Sequence, residues 1–240
     1  MSIENGEWIM HGLSRDDPRR LRSAQELEAA VIEAGFLPLF GGAIPGFSVE
    51  ERTFAPDWWS EDPARDPWLW RQILARRGNV AYGKFFGGRA GFIAPEYLPL
   101  FANVRRDGYD FDALWEDGKA RHRAKKIMDL FGGGEELFSF EIKRLAGFGA
   151  EGEKNFDGAV TALQMQTYLV IRDFRCRTNK RGAPYGWPIA VYCTPEPIWG
   201  YDAVTAAYGQ TPDESRGLLR RRLRQLCPDA PEKAVDALIG

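Results

Sequence analysis

Between residues 121 and 194 the sequence changes its period, and that change limits the possible fold more than any other feature. RHRAKKIMDLF (121–131), FSFEIKRLAGF (138–148) and FDGAVTALQMQ (156–166) suit three short helices. Asn155 can cap the last, and Phe156, Val160 and Leu163 recur along it at helical spacing. TYLVIRDFRCR (167–177) and APYGWPIAVYCT (183–194) then become β-branched and aromatic, with Asn179-Lys180-Arg181-Gly182 as the turn between them. Three helices followed by a β-hairpin predict a winged helix. In that helix-turn-helix the third helix can enter a major groove while the hairpin lies against the backbone or minor groove.

Around this unit, 26 glycines and 15 prolines in 240 residues demand short elements and tight turns. Ser23 and Glu26 form a capping-box pattern ahead of the stripe Leu27, Ala30, Val31 and Ala34, and Gly35 can end that helix. FLPLF (36–40) reads as a short strand, Asp66-Pro67 opens a helix that stops at Gly78, and a hairpin is expected at 79–93. From there to residue 116, short apolar runs mix with glycines and leave helix against strand open. Thr211-Pro212-Asp213-Glu214 is a second capping box, opening a helix with Leu218, Leu219, Leu223 and Leu226 on one side, and a last helix begins at Pro231. The expected fold class is therefore α+β: an N-terminal α/β segment (1–116), a winged helix (117–199) and C-terminal helices (200–240).

Composition narrows the function. A hydrophobic content of 44% fills a core, and a net charge of −2 argues against a wholly basic, histone-like surface. Acidic residues outnumber basic ones in 1–70 and basic outnumber acidic in 117–190, so any nucleic-acid surface is local. There is no long apolar run, and MSIENGEWIM lacks the charged start and apolar stretch of a signal peptide. Membrane spanning and secretion are thus disfavoured, and a cytoplasmic setting is expected. Cys176, Cys193 and Cys227 are too scattered for a disulfide framework or a CxxC metal site, and His11 and His122 are too few to favour zinc or Ser-His-Asp chemistry. Neither a metal nor another cofactor is implied, and no protein partner is indicated.

The hairpin carries Arg172, Arg175, Arg177, Lys180 and Arg181, a set that can contact phosphates or simply keep a solvated strand edge from pairing. Arg216, Arg220, Arg221, Arg222 and Arg224 lie opposite the leucine stripe and read as an ordinary solvated helix face. GNVAYGKF (78–85) nearly matches a phosphate-binding loop, but Phe85 replaces the hydroxyl residue and a helix precedes Gly78. Asp107, Asp110 and Asp112 read as turn acids paired with Arg105 and Arg106 rather than as a cation site. Of the aromatics, Trp58, Trp59, Trp68 and Trp70 are expected in the N-terminal core, whereas Tyr185 and Trp187 on the hairpin are candidates for exposure.

DPWLWR, AYGKFF, RRDGYDFD, LQMQTYLVI, NKRGAPYGW and YCTPE, within Asp66 to Glu196, resemble the AlkZ-related winged-helix proteins, relatives of bacterial DNA glycosylases that unhook interstrand crosslinks and excise alkylated bases. The resemblance implies duplex or damaged DNA as partner and a place in repair. In those glycosylases a Gln-x-Gln pair helps orient the hydrolytic water, and Gln164 and Gln166 match it by residue type. Their position where the third helix ends also suits plain helix-end hydrogen bonding. Hydrolysis of an N-glycosidic bond without metal is thus one reading, with Lys154 and the third helix near the groove and Arg175, Arg177, Lys180 and Arg181 on phosphates. A non-enzymatic winged-helix regulator or protein-interaction module is the other.

Overall fold

The computed structural model describes residues 2–4, 6–60 and 62–240, and opens with two antiparallel strands, β1 (Ser2–Glu4) and β2 (Glu7–Ile9). α1 (Ala24–Ala34) starts where the Ser23 hydroxyl accepts the Glu26 N–H at 3.1 Å, and ends at left-handed Gly35, φ 91°. The Glu26 carboxylate accepts the N–H of Arg22, at 2.8 Å, rather than that of Ser23, so the expected reciprocal box is displaced by one residue. β3 (Phe36–Pro38) follows, then α2 (Pro67–Arg77), capped by Asp66, which accepts the Trp68 N–H at 2.9 Å. β4 (Ala81–Phe86) and β5 (Arg89–Ile93) form the hairpin expected at 79–93, and β3 joins β5 to give the antiparallel order β3-β5-β4.

The open stretch that follows is helical: α3 (Leu98–Arg106), then α4 (Phe111–Glu116). Next come α5 (His122–Met128), β6 (Leu137–Phe138), α6 (Ser139–Leu145) and α7 (Phe156–Met165), with the Asn155 side chain accepting the Gly158 N–H at 3.3 Å. The hairpin is β7 (Val170–Thr178) and β8 (Pro184–Cys193). β6 pairs with β8 through Leu137 to Tyr192 and Phe138 to Val191, so this sheet has the order β6-β8-β7. Two residues are too few for a visible alternation, and Phe138 therefore falls outside the helix expected from 138. Helix, strand, helix, helix, hairpin is an order compatible with the winged-helix arrangement.

The chain closes with α8 (Glu196–Trp199), α9 (Tyr201–Val204), α10 (Pro212–Leu226) and α11 (Glu232–Ile239). The architecture is α+β, and its apolar core runs without a break from Leu21 to Ile239. The N-terminal sheet meets the hairpin through Tyr82 and Phe174, whose ring centroids lie 6.1 Å apart. The buried Arg71 guanidinium lies between the Trp68 and Phe174 rings at 3.7 and 4.1 Å. Trp58 and Trp70 are core residues as expected, but Trp59, at φ 56°, is half exposed while its ring packs against those of Trp58 and Trp68. Among the described residues no helix is long and apolar enough to cross a membrane.

Candidate nucleic-acid interface

Charge on the hairpin changes from its base to its tip. At the base, Arg172 donates to the carbonyls of Ala75 (2.8 Å) and Arg76 (2.6 Å) at the end of α2, and also faces Glu136 at 3.4 Å. Arg175 pairs with Asp173 at 2.8 Å and with Glu136. Burial works to raise the Asp173 pKa, but hydrogen bonds from Arg175, the Phe174 N–H and Arg76 outweigh it and hold the carboxyl below its usual range. Further out, the Arg177 guanidinium lies 4.4 Å from the Phe140 ring centroid and makes no ion pair with a described residue. At the tip the Asn179 side chain accepts the N–H groups of Arg181 (2.9 Å) and Ala183 (3.1 Å), and Gly182 takes φ 77°. That tight turn leaves Lys180 and Arg181 exposed, without a described acidic partner.

Lys154 is exposed ahead of α7, but its ammonium donates to the Gly149 carbonyl at 2.9 Å and to that of Ala150, fastening the preceding loop.

The two glutamines face different surroundings. Gln164 is 1% exposed; its Oε1 accepts the Lys84 N–H at 3.0 Å and its Nε2 donates to the Val160 carbonyl at 3.3 Å. The Lys84 N–H needs that acceptor because the β4–β5 register shifts between Gly83 and Phe86. Gln164 therefore ties α7 to the N-terminal sheet. Gln166 is half-buried and borders a cleft of about 350 Å³ between α4, α5 and α7, lined by residues such as Phe111, Ala159 and Ala162. Lys119, Arg121 and Arg123 rim it, and its described lining contains no Asp or Glu. Arg123 is paired with Glu153 at 3.0 Å and Lys119 contacts Tyr109, whereas Arg121 has no described acidic partner.

The helix end beside Gln166 is held by groups that sequence reasoning assigned elsewhere. Thr167 is β-branched yet takes φ 62°, a costly backbone for such a residue. Arg106, 2% exposed, fixes it by donating to the Thr167 carbonyl (2.6 Å) and the Gln166 carbonyl (3.3 Å), while facing Glu196 at 3.2 Å. Arg105 donates to the Met165 carbonyl at 3.2 Å. The expected pairing of these arginines with Asp107 and Asp110 is thus overturned: Asp110 accepts from the Tyr201 hydroxyl at 2.6 Å instead. No group of acids, histidines or cysteines suited to a metal occurs among the described residues. Gly83, Lys84 and Phe85 of the near phosphate-loop pattern lie inside β4, with no helix after them to receive a phosphate.

The profile of the AlkZ-related family matches residues 21–240. The chain belongs to the AlkZ-related family. Membership ties it to a DNA-repair context. No curated protein and no solved structure matches the chain.

Proposed function

We propose that this AlkZ-related chain is a DNA-binding protein of repair, its hairpin acting as the wing of a winged helix and its cations meeting phosphates. A cytoplasmic setting suits that role. The observation that carries the reading is the presence of cations without acidic partners at the tip, Lys180 and Arg181 above all, in a chain whose other arginines are so often neutralised. A few phosphate contacts release condensed counterions and give salt-sensitive binding whatever the net charge. Arg175 is already satisfied by Asp173 and Glu136 and contributes less than the tip.

Hydrolysis of an N-glycosidic bond is the second reading, favoured by Gln166 at the lip of an open cleft rimmed with cations. A glutamine can position a water but cannot take its proton, and the lining holds no carboxylate to do so, which is why binding ranks first. Titrating labelled duplex DNA with the protein over a range of salt tests binding; no salt-dependent complex would reject it. Incubation with alkylated DNA tests hydrolysis. If abasic sites form, Gln166→Ala stops their formation with the fold intact, and a fully active Gln166→Ala removes the cleft from the chemistry.

A further inference from the structure

The outer half of the hairpin displays more aromatic surface than contact with phosphates requires. Arg175 is paired with Ile189 and Arg177 with Tyr185, so Cys176 alone faces Gly186, Trp187 and Pro188 across the ladder. This bulge, with Gly186 at φ 75°, leaves Trp187 without a cross-strand partner and 89% exposed, while neighbouring Tyr185 is 51% exposed. Below them, Phe138 and Phe140 stack at 5.1 Å between centroids, and the Arg177 guanidinium covers Phe140 at 4.4 Å. Phe138, Phe140, Arg177 and Tyr185 border an open trough of about 550 Å³ along the wing, and Trp187 follows two residues after Tyr185 on the same strand. Glu141, the acid in its lining, is occupied by the Phe138 N–H at 3.0 Å.

We infer that this aromatic trough and the Trp187 bulge form a stacking site for unpaired bases, so that the protein prefers single-stranded or frayed DNA to intact duplex. The inference rests on the nucleic-acid reading above. In a duplex the base faces are buried in the stack and only phosphates and groove edges reach a wing. Single strands offer both a phosphate chain and free π-faces, matching cations beside aromatic rings. The charge complementarity of Arg177, Lys180 and Arg181 selects a polyanion, and the bulge with Pro188 works against addition of a peptide strand.

The test uses the full chain and three labelled probes: a short oligothymidylate, a duplex of equal length and the corresponding oligouridylate. Oligothymidylate binds roughly tenfold tighter than duplex, and Trp187→Ala lowers that affinity by about tenfold with little effect on the duplex. The loss persists at high salt, because stacking is not screened as phosphate contacts are. Phe140→Leu provides a second variant that removes a ring within the trough. Duplex bound as tightly as the single strand, or oligothymidylate affinity unchanged in both variants, overturns the inference and leaves the DNA-binding reading standing. Binding to none of the probes removes both. Tight binding confined to oligouridylate overturns the choice of DNA.

Discussion

The hairpin and α10 each carry a run of arginines, yet the fold treats the two runs differently. On α10, Arg220 pairs with Glu232 and Asp236, Arg224 pairs with Glu232 and donates to the Pro228 carbonyl at 3.0 Å, and Arg216 meets the Gly240 carbonyl. Arg222 reaches across to the Ala34 carbonyl at 3.1 Å and so closes the end of α1. Among the described residues all but Arg221 have a partner, so the expected solvated face, still partly exposed, also links α10 to α11 and α1. On the hairpin the arginines nearest the body are used in the same way, but the supply of acids and carbonyls ends where the strands leave the body. A basic run becomes available to a partner only where the fold delivers no counter-group.

The contrast can be pushed to its limit at Arg106, which is buried and satisfied on several sides. Arg106→Leu leaves the Gln166 and Thr167 carbonyls and Glu196 without their donor and lowers stability by about 3–5 kcal/mol, read by urea unfolding. A loss below about 1 kcal/mol would place the strain at Thr167 on other supports. Gln164→Ala comes next, at about 1–3 kcal/mol, because the Lys84 N–H loses its acceptor; thermal unfolding measures it. Arg220→Ala with Arg224→Ala follows at roughly 1–2 kcal/mol, a loss that shrinks as salt is added and leaves DNA affinity unchanged. The smallest effect concerns pH. Asp173 has a lowered folded pKa, so its contribution is present above the ordinary carboxylate pKa and is lost as pH falls through the folded value. Asp173→Asn therefore flattens the acid limb of stability below about pH 4, and an unchanged limb would detach this carboxylate from acid unfolding.

Local signals were the legible ones. Ser23, Asp66, Asn155 and Thr211 each cap a helix as their spacing predicts, because a cap involves residues two or three apart. The hairpin and its exposed Tyr185 and Trp187 follow from strand composition and turn chemistry. The features that the sequence does not display depend on distant partners. β6 exists because β8 offers it an edge, Gln164 is buried because Lys84, 80 residues earlier, needs an acceptor, and Arg105 reaches carbonyls at 238 and 239. A Gln-x-Gln pattern at a helix end can be named from sequence, but which glutamine faces solvent is decided by how the N-terminal sheet docks on α7.

Because the free cations at the tip are what separate the hairpin from α10, comparing two double variants in two assays is the most direct test. Lys180→Ala with Arg181→Ala lowers the slope of log affinity against log salt by about 2 while stability stays within roughly 0.5 kcal/mol of the parent. Arg220→Ala with Arg224→Ala does the reverse. A salt slope unmoved by loss of Lys180 and Arg181, with the parent protein bound to DNA, would contradict the account.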